Sequence, residues 1–296
     1  MSIVTGPYTM PAAFVRAEDV IGPRRLWNAV NGLQGKFLDV HQVCREQVGD
    51  VPEIVSMASW DYQEINRFLR ERGFSIQLRP FNPDTFGVAA ILKVLLKWLH
   101  KGVKATIVAP SRAEYPAVFM KESAGAAMYS VSGHTNPVIA LPTQTEDVVI
   151  LSMLDQAPED EFEVVSVARH FLAKLQSRGA VEVTFPMVDL DIQADLSWLI
   201  GLWTSRAGQR STVSQAVRQT KVQMNEKGVK VEDAFAAGIT LECMMSVRSH
   251  TIDRPFLMVI SRPGLKVPLF AGYITEDHWK NPGDFSIKVK IKAKAK

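Results

Sequence analysis

The chain has 296 residues, enough for one large domain or two ordinary ones, and with 47% hydrophobic and 22% charged residues its composition excludes intrinsic disorder. Its formal net charge of +3 is too small to indicate nucleic-acid binding by itself. The two cysteines, Cys44 and Cys243, exclude a disulfide framework and a cysteine zinc site.

The chain has no internal division that the sequence makes visible. It contains no repeat, low-complexity segment or Gly/Ser linker, so we predict one domain over residues 1–284 and a basic tail over residues 285–296. The N-terminus lacks a basic start followed by a long apolar run, which predicts no secretory signal. The longest apolar stretches are of strand length or are interrupted by lysine, so we expect no membrane span.

Residues before Ala124 favour helices. Residues 24–48 have apolar positions at mixed helical spacing and predict a helix and a short strand. Residues 61–72 predict an amphipathic helix that begins at Asp61 and ends before Gly73. Residues 86–99 are apolar throughout, and periodicity alone does not distinguish a buried strand from a helix there.

The later part of the chain favours short strands bounded by turn residues. Residues 159–176 and 194–203 predict helices, and Arg262-Pro263-Gly264-Leu265 predicts a turn between the last two strands. The predicted strands span residues 126–131, 137–141, 147–153, 181–190, 220–226, 255–261 and 267–274. The sequence therefore predicts an α+β protein with most of its helices early and most of its strands late.

No arrangement of residues in the sequence is typical of catalysis. There is no nucleophile elbow, phosphate-binding glycine loop, dinucleotide-binding motif or H-E-x-x-H zinc motif. The six histidines are scattered at spacings that match no metal site. We therefore expect a protein that is not an enzyme and that needs no metal or other cofactor.

The C-terminal tail alternates lysine with apolar residues at the period of a strand. Its lysines are Lys288, Lys290, Lys292, Lys294 and Lys296. Without them the formal charge of the chain is −2, so the basic character lies in the tail. The tail is interpreted either as an arm for nucleic acid, an anionic membrane or an acidic partner protein, or as a solvated terminus.

The segment from residue 214 to residue 274 contains about 25 residues without a structural pattern between two strands, which indicates a functional loop. Gly228 follows a strand and predicts a backbone bend where the chain leaves the sheet.

The same segment resembles the C-terminal part of a serpin. The run VSQAVRQTKVQMNEKGVKVEDAFAAG is similar to the helix, strand and glycine hinge before a serpin reactive loop, and IDRPFLMVISRPGLKVPLFAGYI is similar to the closing pair of strands. Weaker similarity extends upstream, through the barrel strands in NPVIALPTQTEDVVILSMLDQ, to the helix over the main sheet and the central strand after it in EINRFLRERGFSIQLRPFNPDTFGVAAILKVLLKW.

The resemblance implies a main mixed β-sheet, a smaller β-barrel and covering helices, with the first helices missing or replaced because the chain is shorter than usual. Truncated members of this kind occur in large DNA viruses, so a viral origin and a virion-associated, intracellular or non-classically secreted protein are the corresponding expectations. It also implies a reactive-loop region at about residues 228–252, with a hinge that an inhibitory serpin inserts into its main sheet as a new strand after cleavage by a protease.

The hinge of this chain departs from the family pattern. Its candidate residues are Glu226, Gly228, Val229, Val231, Asp233 and Phe235. Insertion buries every second side chain, and burying Asp233 unpaired costs on the order of several kcal/mol. Phe235 would take a position that the family usually fills with alanine, and such overpacking costs roughly 1–3 kcal/mol.

The sequence is compatible with cleavage at several bonds. The candidate scissile region comprises Glu242, Cys243, Met244, Met245, Ser246 and Arg248. Cleavage after Met245 would suit a chymotrypsin- or elastase-like protease, cleavage after Arg248 a trypsin-like one, and cleavage after Glu242 an acid-specific one. The alternative is that no protease cleaves this loop.

We therefore expect a serpin-fold protein that is non-inhibitory or weakly inhibitory and acts through protein–protein interaction or as a structural component, with an oligomer among the arrangements open to it. The alternative is a serine- or cysteine-protease inhibitor that works by inserting its loop. A third hypothesis is binding of nucleic acid or an assembly through the Lys288–Lys296 tail.

Overall fold

The structure is a computed structural model, and it describes residues 1–82, 85–206, 208–229 and 248–283. Four α-helices lie within these ranges: α1 Thr9–Ile21, α2 Gly32–Cys44, α3 Tyr62–Glu71 and α4 Glu161–Lys174. The first ten strands are β1 Ile3–Thr5, β2 Trp27–Asn28, β3 Ile54–Ser59, β4 Gly87–Leu92, β5 Leu96–Lys97, β6 Val103–Val108, β7 Glu114–Met120, β8 Ala127–Ser130, β9 Val138–Pro142 and β10 Val148–Met153. The later strands are β11 Gln176–Ala180, β12 Glu182–Pro186, β13 Val188–Ala194, β14 Trp203–Arg206, β15 Gln209–Thr212, β16 Arg218–Asn225, β17 Gly228–Val229, β18 Ser249–Thr251, β19 Phe256–Ser261 and β20 Phe270–Ile274.

A seven-stranded antiparallel sheet forms the centre of the protein. Its order is β1-β20-β19-β10-β9-β8-β11, and it contains the strands that the resemblance assigns to a small barrel. Strands β9, β10, β19 and β20 are almost completely buried, as expected for a sheet that is covered on both faces. Helix α4 packs against β1, β19 and β20.

Two four-stranded sheets adjoin the central one. The first has the order β18-β12-β7-β6, in which β12 and β18 form a parallel pair. The second has the order β13-β16-β17-β5 and is antiparallel throughout. Strands β3 and β4 form a separate antiparallel pair, and β15-β14-β2 form a small sheet.

Helix α3 lies over the β3–β4 pair, as the resemblance implies. It begins after Asp61, whose Oδ1 accepts a hydrogen bond from the Gln63 amide at 2.8 Å. Its apolar side chains Ile65, Phe68 and Leu69 are buried in a cluster with Ala89 and Ile91 of β4. The predicted helix of residues 61–72 is confirmed, because its single apolar face has a sheet to cover.

Residues 86–99, whose structure the sequence left open, form strands β4 and β5. The side chains of β4 alternate between buried and half-buried positions. Ala89 and Ile91 face helix α3, whereas Leu92 lies near Gly6 on the side of α1. Both faces of β4 are therefore covered, which explains why the segment is apolar without a visible period.

The predicted helix of residues 194–203 is wrong. Only a short 3₁₀ helix, Ser197–Leu199, forms there, and Trp203 already begins strand β14. Leu196, Leu199 and Leu202 are all buried, and their spacing of three residues fits a 3₁₀ turn as well as an α-helix. Gly201, with φ of +89°, then turns the chain into the strand.

The predicted strand of residues 181–190 is two strands in two different sheets. Strand β12 pairs with β7 and β18, and strand β13 pairs with β16. The change occurs at Met187, whose amide donates to the Pro116 carbonyl at 2.8 Å. The remaining predicted strands and the helix of residues 159–176 are confirmed within a few residues.

Helix α1 is an element that the sequence analysis did not find. It packs against β3 and β4 and buries Phe14 and Ala17. Together with α3 it encloses β4 between two helices, and this arrangement positions the candidate site.

Candidate functional site

A cleft of about 1070 Å³ lies between strands β4 and β16. All residues of β4 line one side, and residues 218–223 of β16 line the other. Met10, Phe14 and Ala17 of helix α1 form its floor, and Ile65 and Leu69 of helix α3 lie on the opposite side. We call this space the strand cleft.

The strand cleft is bordered by two strand edges without a backbone partner. Within the ranges that the structure describes, β4 pairs only with β3, and β16 pairs along its full length only with β13. On its other side β16 pairs with β17 at Met224 and Asn225 alone. Unpaired edges of this kind accept a further strand.

Strand β17 fills the end of the strand cleft that lies beside Met224 and Leu96, which we call its upper end. Gly228 and Val229 lie between β16 and β5 and pair with both strands in antiparallel register. The Val229 side chain is 1% exposed and belongs to the main core cluster together with Leu96 and Met224. The sequence predicts that the chain leaves the sheet at Gly228. In the structure the chain instead re-enters the sheet at Gly228.

Gly228 is needed at this position because there is no space for a side chain. A Cβ atom on Gly228 would lie 2.1 Å from the Leu96 carbonyl oxygen and 2.8 Å from the Lys97 Cα. Both contacts involve the backbone of the neighbouring strand, so no side-chain rotation relieves them.

A tight turn joins β16 to β17 and is held by hydrogen bonds from two sides. The Trp98 indole donates to the Asn225 carbonyl at 2.9 Å, and the Gly102 amide donates to the Glu226 carbonyl at 2.8 Å. The Asn225 side chain accepts from the Lys227 amide at 2.9 Å and donates to the Gly283 carbonyl at 3.0 Å. The bend thus occurs at Glu226 and Lys227, before Gly228.

Glu226 carries a carboxylate into this turn. Its side chain is 5% exposed, and the Lys104 ammonium lies 4.0 Å from its Oε1. Lys104 belongs to the edge strand β6 and is largely exposed. The ion pair is long and half solvated, so it contributes little to holding the turn compared with the backbone hydrogen bonds.

Arg218 sets the chemistry of the inner side of the strand cleft. It lies at the start of β16 and forms an ion pair with Glu161 of helix α4, in which both side chains are about nine-tenths buried. Its guanidinium also donates to the Thr5 hydroxyl at 3.4 Å and the Val4 carbonyl at 3.5 Å. Its Nε–H is buried without a hydrogen-bond partner among the described residues.

The segment between α3 and β4 covers the outer side of the strand cleft. The Ser75 amide donates to the Gln219 side chain at 2.8 Å, and the Arg79 amide donates to the Gln215 side chain at 2.9 Å. Both glutamines lie at or just before the start of β16. This cover is therefore fastened to β16 by hydrogen bonds from side chains and not by strand pairing.

The structure brings together three of the six hinge residues that the sequence singles out: Glu226, Gly228 and Val229. The other three, Val231, Asp233 and Phe235, lie outside the described residues. Of the candidate scissile region, Glu242, Cys243, Met244, Met245 and Ser246 also lie outside the described residues, and so does the Lys288–Lys296 tail.

Arg248 is described, and its backbone is engaged. Its carbonyl accepts a hydrogen bond from the Glu182 amide at 2.8 Å, and its guanidinium donates to the Arg178 carbonyl at 2.7 Å. The next residue, Ser249, begins strand β18.

A Ser–His pair elsewhere in the protein lacks the geometry of a nucleophile. The His134 Nε2 lies 2.8 Å from the Ser152 hydroxyl, but that hydroxyl donates its proton to the Pro137 carbonyl at 2.9 Å. Ser152 is completely buried, and burial lowers the pKa of His134. Histidine therefore donates to serine here and does not act as its base.

Metal ligands do not converge in the part of the chain that the structure describes: no three His, Cys, Asp or Glu side chains there could hold a metal ion. Cys44 is buried, and burial raises the pKa of its thiol to about 12, so it is not a reactive thiolate at neutral pH.

Sequence reasoning missed two residues of the site, Trp98 and Arg218. Trp98 lies within the apolar segment of residues 86–99, where nothing marks it as the donor to Asn225. Arg218 precedes a strand that was expected to begin at residue 220, so its position on the inner face could not be read from the pattern. Both contact partners that are more than 50 residues away in the sequence.

The chain is similar to known proteins in family and in fold. The family model described as serpin (serine protease inhibitor) matches residues 135–276. Among solved structures, thyroxine-binding globulin in complex with thyroxine is 14% identical, with 92% of each chain covered and a TM-score of 0.56. The mouse protein-Z-dependent protease inhibitor is 14% identical, with 92% of this chain and 90% of that one covered and a TM-score of 0.55.

Human glycosylated kallistatin is also similar, at 14% identity, with 93% of this chain and 91% of that one covered and a TM-score of 0.56. No curated protein sequence matches the chain. The family match and the shared fold identify the chain as a short serpin-like protein. Its α+β architecture is that of the serpin fold. Among the described residues, no helix is both long and apolar enough to cross a membrane.

Proposed function

We propose that this serpin-like protein inhibits a protease by inserting residues after Val229 into the strand cleft. The observation that carries the proposal is the position of β17, a two-residue strand between β16 and β5 that points into a cleft with two unpaired edges. Because of this position we favour inhibition over a non-inhibitory role, although the hinge sequence favours the non-inhibitory role. The reason is that the sheet needs no opening before a strand can enter.

The register of β17 specifies where each inserted residue would lie. Gly228 pairs with Asn225 and Lys97, and Val229 pairs with Met224 and Leu96. In an unbroken antiparallel register each step forward in the loop is a step back in both neighbours. Asp233 would then lie between Thr220 and Leu92, and Phe235 between Arg218 and Ala90.

These neighbours weaken the two objections that the sequence raises. Asp233 would face the Thr220 hydroxyl, two residues along β16 from Arg218, whose buried Nε–H has no acceptor among the described residues. A carboxylate that finds such donors avoids most of the cost of burial. Phe235 would lie beside Ala90, where the cleft has room for an aromatic ring.

The cleavage site on this proposal lies between Glu242 and Ser246. Cleavage after Arg248 is disfavoured, because its carbonyl already accepts a hydrogen bond from the first residue of β12 and a protease needs that carbonyl free. The protein would itself be no enzyme, and its partner would be a serine or cysteine protease.

A second candidate function is binding to a protein partner without insertion. It is supported by the ion pair between Arg218 and Glu161, which occupies the inner layer where Phe235 would have to pack. It is also supported by the Ser75–Gln219 and Arg79–Gln215 hydrogen bonds, which fasten the cover of the cleft. If these contacts hold, insertion would stop before residue 234.

Loop cleavage followed by thermal unfolding separates the two functions. We expect the chain cleaved within residues 240–247 by a promiscuous protease to unfold at a higher temperature than the intact chain, because the inserted strand pairs with two edges. The matched control is Val229→Arg, which places a charge in the core at the start of the insertion and should abolish the rise. An unchanged or lower melting temperature in the cleaved wild-type chain would refute insertion.

A proteolytic screen then tests inhibition itself. A protease that the protein inhibits should form a complex with it that survives SDS, and Val229→Arg should convert the protein into an ordinary substrate of that protease. Asp233→Ala with Phe235→Ala should change the yield of complex little, since the cleft offers hydrogen-bond donors to Asp233 and room to Phe235. If insertion occurs but no complex forms with any serine or cysteine protease, the binding function is the better account.

A further inference from the structure

Strand β13 is an edge strand of the sheet that borders the strand cleft. It spans Val188–Ala194, and among the described residues it pairs only with β16, so its other edge carries unpaired backbone groups. Natural proteins usually cover such an edge.

The two faces of β13 differ in chemistry. Val188 and Leu190 are buried, and Ile192 packs partly buried against the same core. Asp189 and Asp191 lie on the other face, where Asp189 accepts from Gln223 at 3.2 Å and Asp191 lies 3.0 Å from the Lys221 ammonium. An added strand at this edge would therefore need one apolar and one basic face.

The described chain ends beside this edge. The Gly283 carbonyl accepts from the Asn225 side chain, at the end of β16 where β13 begins. The short 3₁₀ helix Glu276–His278 packs against β13. Residues 284–296 thus start at the Val188 end of β13.

We propose that residues 284–296 add to the free edge of β13 as a strand. The tail alternates Ile287, Val289 and Ile291 with Lys288, Lys290 and Lys292. With the apolar set beside Leu190 and Ile192, the lysines lie beside Asp189 and Asp191; a slip of one residue would reverse both faces. Starting at Gly283, the tail runs parallel to β13, and 13 extended residues reach roughly 43 Å, well beyond the length of β13.

Hydrogen–deuterium exchange of the full chain tests the proposal. We compare the wild-type protein with a chain that ends at Gly283 and expect exchange of the β13 amides to be roughly tenfold faster in the shortened chain. The internal control is β11, an exposed edge strand that within the described ranges pairs only with β8 and that should exchange at the same rate in both proteins. Equal β13 exchange in the two proteins would overturn the proposal.

Charge variants distinguish the acidic face from a general effect of charge. Asp189→Lys with Asp191→Lys should deprotect β13 in the full chain, and added salt should weaken the wild-type protection. Asp39→Lys with Glu71→Lys makes the same change in charge at two exposed positions outside β13, on helices α2 and α3, and should leave its exchange unchanged. If both double variants deprotect β13 equally, the charge pairing is wrong.

Measuring exchange at several protein concentrations shows whether the tail of the same chain or the tail of a second copy covers the edge of β13. Protection that is the same over a hundredfold range of concentration, in a monomer by light scattering, supports the tail of the same chain. Protection that appears only as the protein dimerises would show that the tail of a second copy pairs with β13 and would overturn the intramolecular arrangement.

Discussion

Gly228→Ala is the substitution that most directly probes the upper end of the strand cleft. The added Cβ would lie 2.1 Å from the Leu96 carbonyl oxygen, well inside the 3.0 Å below which real contacts essentially never occur. Either β5 moves away or β17 leaves the sheet, so the cost is limited to what β17 contributes. Re-exposing the side chain of Val229 costs about 1.5–3 kcal/mol, and the lost backbone hydrogen bonds add roughly 1 kcal/mol.

The expected result is a loss of about 2.5–4 kcal/mol in the free energy of unfolding, which lowers the melting temperature by roughly 4–6 °C for a chain of this size. Circular dichroism during heating measures it, and hydrogen exchange should show faster exchange at Leu96 and Met224. The matched control is Gly133→Ala, at a glycine with φ of +81° and no atom within 4 Å of an added Cβ, which should cost only about 1 kcal/mol of backbone strain. If Gly228→Ala costs no more than Gly133→Ala and exchange at Leu96 is unchanged, β17 does not lie between β16 and β5.

Two further predictions concern buried charge. His41 is buried against Phe37 with both ring nitrogens unpaired among the described residues, and burial followed by the nearby Arg45 lowers its pKa from 6.5 to about 4. The unfolded chain therefore binds the proton more tightly, so the contribution of His41 to stability is complete above about pH 6.5 and falls by about 3 kcal/mol as the pH drops towards 4. Urea unfolding at pH 7.5 and 4.5 should show that His41→Leu reduces the dependence of the unfolding free energy on pH. An unchanged pH dependence would show that His41 is not its cause. Arg262 donates to Asp147 at 2.7 and 2.9 Å and to Glu53 at 3.0 and 2.6 Å. Arg262→Ala should cost about 3–5 kcal/mol because the buried Asp147 carboxylate and the partly buried Glu53 carboxylate lose their partner. Adding Asp147→Asn and Glu53→Gln should recover part of the loss, whereas no recovery would point to packing as the cause.

The sequence predicts elements well where one face meets a core and the segment is long. Residues 61–72 and 159–176 are helices with capping aspartates, Asp61 and Asp160, whose side chains accept hydrogen bonds from the first turn. The closing strands β19 and β20 and their turn were also expected, and the Leu265 amide donates to the Arg262 carbonyl at 3.3 Å in that turn. Local pattern and tertiary packing agree in these segments.

The secondary-structure predictions are wrong where contacts between distant segments determine whether the chain forms a helix or a strand. The leucines of residues 196–202 are buried at a spacing that suits two kinds of helix, and pairing of Trp203 with Asn28 and Thr212 draws the segment into a strand. Met187 lies in an uninterrupted strand pattern, yet the chain changes sheets there. No single-sequence pattern encodes either choice, because each depends on a strand that is distant in the chain.

The strand cleft could not be predicted from the sequence for the same reason. Its walls come from β4 and β16, its floor from α1, and its cover from the segment between α3 and β4. The sequence pattern did single out Gly228, because a glycine after a strand is a local signal, and the serpin resemblance implied Glu226 and Val229 as neighbouring hinge residues. What it could not supply is that Gly228 is the first residue of a strand inside the sheet.

In the part of the chain that the structure describes, β13 has an unpaired outer edge, and β16 has an unpaired edge before Met224. At the edge of β16 that faces the strand cleft, an added strand would continue β17. At the free edge of β13, an added strand would cover β13. The sequence contains a segment that begins at each place, since residue 230 follows β17 and residue 284 follows Gly283. The two segments differ as their proposed sites do: on our proposals the loop would bring Asp233 and Phe235 to a cleft with Arg218 and free volume, and the tail would bring its lysines to Asp189 and Asp191. Deleting the tail should therefore deprotect β13 without changing the response of the melting temperature to loop cleavage, because β16 separates the two edges.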